Sequence, residues 1–305
     1  EGSRLMAIYL ERIARDADPV VNVYMNRARA AGISTLLQKK LKPAQQMQLR
    51  VKIATELLQG GQTRQAIEQL QLVLAAIENR QVPVGESYKW MLRDLLALAQ
   101  LRVGGEASGV PPHSWVFPME HGSKTSLPAG PRAAIEYYTA NLQGKPDDLA
   151  TRWLLNICYM TLGEYPDEVP EALLISPTVF ASDYDIGFFA DVAAAAGVDA
   201  VGHAGGSVVD DFDGDGLLDI VASSRGLRDQ LRFFHNAGDG TFPEQSEQAG
   251  LRGQLGGLNL AHADYDNDGD RDLLVLRGAW MGEAGRHPNS LLQNNGHGFF
   301  ADVTR

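Results

Sequence analysis

The stretch Asp264-Tyr265-Asp266-Asn267-Asp268-Gly269-Asp270-Arg271-Asp272 decides how this chain is read, and Asp211-Phe212-Asp213-Gly214-Asp215-Gly216-Leu217-Leu218-Asp219 repeats its layout. Each sets carboxylates at loop positions 1, 3, 5 and 9 and a glycine at position 6. The glycine allows a sharp turn, so that four side chains aim at one point. Four carboxylates so placed repel one another, and a divalent cation with oxygen ligands at about 2.3–2.6 Å offsets that repulsion. Calcium is the expected ion; magnesium fits less well, because it prefers octahedral sites that keep several waters. Solvated turns also favour Asp and Gly, but they do not require acids at those four positions twice over.

Outward from the loops, a second landmark recurs. Gly187-Phe188-Phe189-Ala190-Asp191-Val192, Gly240-Thr241-Phe242-Pro243-Glu244-Gln245 and Gly298-Phe299-Phe300-Ala301-Asp302-Val303 start at 187, 240 and 298, intervals of 53 and 58 residues. The acidic loops start at 211 and 264, again 53 apart, so the unit is a repeat. The turn phrases Asn236-Ala237-Gly238-Asp239-Gly240 and Asn294-Asn295-Gly296-His297-Gly298 read as hairpin turns that need positive φ. Short β-rich runs lie between such clusters: Ser207-Val208-Val209, Ile220-Val221, Leu231 to Phe234 and Leu273 to Leu276. Each repeat is therefore expected to be an antiparallel sheet of about four strands.

From about Leu5 to Thr161 the apolar spacing is helical. Leu49 to Leu58 reads as a helix ended by Gly60-Gly61, Ala66 to Ile77 as its antiparallel partner, and Trp90 to Leu101, Ala133 to Leu142 and Leu149 to Leu162 as three more. Pro166 to Ser182, with three prolines, suits a linker. The chain is thus expected to be an α+β multidomain protein: a helical array over 1–165, a linker over 166–182 and β repeats over 183–305.

In this setting the helix pairs resemble tetratricopeptide-type (TPR-like) repeats in pattern, without a repeated signature at a spacing of about 34 residues. The acidic loops and their flanking strands resemble the FG-GAP or VCBS repeats of integrin-α-type β-propellers. The phrase Gly-x-Phe-x-Asp-Val, the loop from Ala263 to Asp270 and the run Arg286-His287-Pro288-Asn289-Ser290-Leu291-Leu292 resemble the cartilage acidic protein, or ASPIC/UnbV, group. That resemblance implies an exported protein, extracellular or periplasmic, whose loops hold calcium. Carried onto this chain, the side-chain ligands would be Asp211, Asp213, Asp215 and Asp219 with the Leu217 carbonyl, and Asp264, Asp266, Asp268 and Asp272 with the Asp270 carbonyl. An EF-hand fails, since loop position 12 is Ala222 in one loop and Val275 in the other. A propeller has 4–8 blades, yet the chain shows two units and the opening of a third. A partial propeller is expected, either a piece of a longer protein or a ring completed in some other way.

Charge and composition bound the function. Of the net charge of −11, the whole surplus lies from Val179 onward, where 20 acidic residues meet 8 arginines and no lysine. Nucleic acid is not an expected partner of so acidic a surface. No apolar run is long enough to span a membrane, and no signal peptide is visible. The lone Cys158 sits in an apolar helical stretch and reads as a buried small hydrophobe.

The common nucleophile, zinc and nucleotide motifs are missing. Asp210 and His262 read as supporting residues beside the loops, and His203, His235, His262, His287 and His297 as turn or surface histidines. Binding is therefore expected rather than catalysis: a calcium-stabilised interaction protein with a protein or glycan partner. The rival is an enzyme, or an enzyme's accessory part, with a site between the helical and β parts. In that reading the Gly104 to Gly130 loop, with His113, Trp115, Glu120, His121, Ser123 and Lys124, would serve as a lid.

Overall fold

The computed structural model describes residues 1–20, 22–106, 125–181, 184 and 190–304. These form two compact units, one over Met25–Phe188 and one that joins Glu1–Tyr24 to Phe189–Arg305. Among the described residues no helix is long and apolar enough to cross a membrane. Helix α1 (Gly2–Asp16) belongs to the second unit.

The first unit is built from α2 (Asn26–Leu36), α3 (Pro43–Gln59), α4 (Thr63–Glu78), α5 (Glu86–Glu106), α6 (Ala129–Gly144) and α7 (Leu149–Leu162), each packed on the next. Local chemistry sets the ends. Pro43 opens α3 at a position whose N–H would have no helical partner, and the Gln45 side chain accepts the Lys42 N–H at 3.0 Å. Asp148 caps α7 by accepting the Thr151 N–H at 3.1 Å, and Gly163 ends that helix at φ 69°. The expected helical segments fall within α3 to α7, and Leu149–Leu162 agrees at both ends.

Two apolar clusters hold this unit. One gathers Ala54, Ala66, Leu70, Val73, Leu92 and Leu96; the other gathers Tyr138, Leu155, Cys158 and Met160. Cys158 is buried, and burial pushes its thiol well above the usual range, which suits an inert packing role. Residues 166–181, read from their prolines as a linker, lie in this unit and are tied to α7. Asn156 is fully buried, donates to the Leu173 carbonyl at 2.9 Å and accepts the Ile175 N–H at 3.0 Å, while Phe180 stacks 5.7 Å from Trp153.

The second unit carries two antiparallel sheets. In the first, β1 (Ser207–Asp210), β2 (Asp219–Ala222) and β3 (Arg232–Phe234) run in sequence order, and a single bridge between Phe234 and Glu244 marks where a fourth strand would add. In the second, β4 (Asn259–Ala263), β5 (Asp272–Leu276), β6 (Ser290–Asn294) and β7 (Phe300–Asp302) form the full four-stranded meander. The sheets share one core, in which Phe300 sits 5.8 Å from Phe212 and 6.1 Å from Phe233. No closed propeller is formed among the described residues. Of the first copy of the Gly-x-Phe phrase, residues 187–189 lie outside them.

Helix α1 shows what its sequence could not. Its periodicity announces a buried stripe but not the surface that buries it. Leu10 and Ala14 are buried, Asp302 donates its N–H to Ser3 Oγ at 2.8 Å, and Gly253 leaves room for Ala7, where a Cβ would come within 2.6 Å. The helix therefore packs on β7. Beneath it, Arg277 is almost buried and donates to the Leu255 carbonyl, Ser290 Oγ and Gln254 Oε1 at 2.7, 2.7 and 3.2 Å. Burial pushes its guanidinium down to about 10, which leaves it cationic at neutral pH.

Candidate metal sites

Each acidic loop joins two neighbouring antiparallel strands, β1 to β2 and β4 to β5, and its ninth residue is the first of the second strand. An ion held there ties a hairpin. The backbone enters the left-handed region at equivalent places, Gly214 (φ 79°) with Asn267 (φ 62°) and Gly216 (φ 87°) with Gly269 (φ 97°). Glycine does this freely and asparagine at modest cost, which explains why those residue types stand there.

Carboxylates bond the loop to itself, in patterns that agree at most positions. Asp211 accepts from Gly214 N and Gly216 N at 2.8 and 2.9 Å, and Asp264 accepts from Asp268 N and Gly269 N, both at 3.1 Å. Asp215 accepts the Leu217 N–H at 2.8 Å, as Asp268 accepts that of Asp270 at 3.0 Å. Asp219 takes the N–H groups of Phe212 and Asn236 at 3.3 and 2.8 Å; Asp272 takes those of Tyr265 and Asn294 at 3.0 and 2.8 Å. Asn236 donates to the Leu218 carbonyl and Asn294 to that of Arg271. The ninth-position aspartates thus fasten the second loop to β6 and the first to the residue two past β3, and both are buried.

These bonds bring oxygens together. Asp211, Asp213 and Asp215 offer ligand atoms within 4.8 Å of one another, and so do Asp264, Asp266 and Asp272. Asp219 joins Asp213 in a third such group, completed by His235. Asp268 stands outside the second group, and the Asp270 carboxylate lies against the turn at Gly296, as the Leu217 side chain lies against Gly238. Position 7 can therefore serve an ion only through its carbonyl. Burial raises the Asp219 carboxyl above the usual range, with the Asn236 N–H acting the other way and the Asp213 charge adding to the rise. The carboxylates fit a hard divalent cation, because an ion among them replaces mutual repulsion with attraction.

His235 is the residue that the sequence reading passed over. Its Nδ1 is closed off from solvent, 3.1 Å from Asp213 Oδ2 and 3.2 Å from Asp219 Oδ1, at angles outside hydrogen-bond geometry. The signal was there: His235 precedes the turn phrase at the place that Gln293 takes in the second repeat, and Gln293 donates to Asp266 Oδ2 at 2.6 Å. Asp210 and His262 have their side chains 3.1 Å apart, with Arg271 also on Asp210 at 3.4 Å.

Ser224, His203 and Asp229 meet, but the Ser224 hydroxyl lies within hydrogen-bond reach of the Asp229 carboxylate and the His203 carbonyl, and its one proton goes to one of them. A serine nucleophile needs its hydroxyl on the imidazole. His113, Trp115, Glu120, His121, Ser123 and Lys124 lie outside the described residues.

Residues 211–275, from the first acidic loop to β5, match the FG-GAP-like repeat, a non-catalytic repeat type. No curated protein and no solved structure matches the chain. The match spans both loops and agrees with the doubled bonding pattern described above.

Proposed function

We propose that the protein is an exported interaction protein, extracellular or periplasmic, whose β repeats are stabilised by calcium and which binds a protein or glycan partner. The observation that carries this reading is the duplicated loop. Two hairpins 53 residues apart share the bonds from position 6 to the aspartate at position 1, from position 7 to that at position 5 and from position 2 to that at position 9, and each brings carboxylates to one place; turn formation alone does not call for that. In the first loop calcium draws on Asp211, Asp213, Asp215 and Asp219 with the Leu217 carbonyl. In the second it draws on Asp264, Asp266, Asp268 and Asp272 with the Asp270 carbonyl, and Asp268 must then move toward the other three.

The ion's contribution is structural: it cancels repulsion and locks each hairpin to its sheet. Export and partner binding draw support from the FG-GAP-like match, since such repeats are typical of extracellular proteins and often mediate protein interactions. The test is elemental analysis of protein dialysed against calcium, together with melting curves before and after a chelator. Bound calcium and a lower melting temperature after chelation are expected. Protein free of calcium under calcium-replete conditions, with unchanged melting, would overturn the reading.

A further inference from the structure

The two repeats part company at the residue before the turn phrase, His235 in the first and Gln293 in the second. Gln293 makes an ordinary hydrogen bond, its amide donating to Asp266 Oδ2 at 2.6 Å. His235 makes none through Nδ1, which is closed off from solvent 3.1 Å from Asp213 Oδ2 and 3.2 Å from Asp219 Oδ1. Neither oxygen lies where a ring N–H could donate to it, as one would in a simple pair between imidazolium and carboxylate.

A shared ion accounts for that geometry. Two ligand atoms bound to one zinc-sized cation at about 2.0–2.2 Å stand about 3.0–3.5 Å apart, and the line between them leaves each bond axis by about 35–45°. Both Nδ1 distances fall in that range, and Asp213, Asp219 and His235 offer ligand atoms within 4.8 Å of one another. The surroundings hold all three in place. The His235 N–H donates to the Pro243 carbonyl at 3.1 Å just past the end of β3. Asp219, 0% exposed, accepts the N–H groups of Phe212 and Asn236. Asp213 divides its carboxylate, Oδ1 accepting the Asp215 N–H at 3.2 Å within the loop and Oδ2 facing His235. Outer hydrogen bonds of this kind orient ligands toward an ion.

The geometry points to a second kind of metal site, confined to the first repeat: Asp213, Asp219 and His235 bind a divalent transition ion of the zinc class, with a further position left for water. An imidazole nitrogen suits zinc and its neighbours, whereas oxygens alone suit calcium. The second repeat, with Gln293 in place of the histidine, keeps an all-oxygen set and takes no such ion. The inference rests on the metal reading of the first loop only in treating Asp213 and Asp219 as ligands, and there zinc and calcium compete.

The test is a calorimetric zinc titration of the full chain, stripped beforehand with a chelator, for the wild type and for His235→Gln, with a separate calcium titration of the wild type. Glutamine is the residue that the second repeat carries at this place, and an unchanged circular dichroism spectrum verifies the fold. The wild type is expected to bind zinc. The variant is expected to bind it more than about a hundredfold more weakly, beyond the roughly 10–100-fold lost when a residue merely supports a ligand. A smaller loss overturns the inference, because the ion is then held without His235. A wild type that takes calcium but no zinc overturns it too and leaves the calcium reading standing. One that takes zinc but no calcium does the reverse, and one that takes neither overturns both.

Discussion

The two acidic loops share most of the backbone bonds that their carboxylates accept and differ in what lies beneath them. Phe212, second in the first loop, is sunk in the core against Phe233 and Phe300, whereas Tyr265 at the same place stands in solvent. The first loop thus carries a fully buried aromatic beside its carboxylates, whereas the second has a half-exposed one at the same place. A motif fixes a local turn, and its neighbours decide how firmly that turn is anchored.

The comparison is broken or sharpened most strongly at that position. Phe212→Ala should cost about 3–5 kcal/mol, as for a buried aromatic, and Tyr265→Ala less than about 1 kcal/mol, as for a surface change. Equal costs in urea denaturation would show the loops to be anchored alike. Asp219→Ala and Asp272→Ala come next. Each strands two backbone N–H groups, so each should cost about 2–4 kcal/mol, and the loss should persist in chelator because those bonds form without an ion.

Calcium removal is the third test. An ion at a hundred times its dissociation constant adds about 2.7 kcal/mol per site, so chelation should lower the melting temperature by about 5–10 °C per site. Asp266→Ala should shrink the response, and more than a change confined to the packed first loop. A variant whose chelator response equals the wild type's would remove Asp266 from the second site. The smallest effect lies at the left-handed position. Gly214→Ala should cost about 1 kcal/mol, because a Cβ is strained at its φ of 79°. Asn267→Gly should change stability by only a few tenths of a kcal/mol, about the difference between two residues that both tolerate that region. Thermal melts of both variants measure the contrast.

Much of the candidate site was legible because its signals are short in range. Carboxylates reaching N–H groups two to five residues on, and glycines at positive φ, act within a single loop. What was missed spans longer distances. His235 reaches Asp213 and Asp219 only because β3 pairs with β2, and a lone histidine before a turn phrase says nothing of that pairing. β4, β6 and β7 were not marked from the sequence. β4 reads Asn-Leu-Ala-His-Ala and β6 Ser-Leu-Leu-Gln-Asn, patterns too polar to stand out from turns.

By itself the sequence determined the repeat, its spacing, the hairpin character of the acidic loops and most of the helical segments, because each depends on residues adjacent along the chain. Tertiary structure alone decided that α1 packs on β7, that residues 166–181 lie on α7, that the first sheet stops at three strands and a bridge, and that Phe212 is buried while Tyr265 is not. An apolar pattern states that a face will be buried. Only the packed chain states against what, since hydrophobic attraction carries no direction of its own.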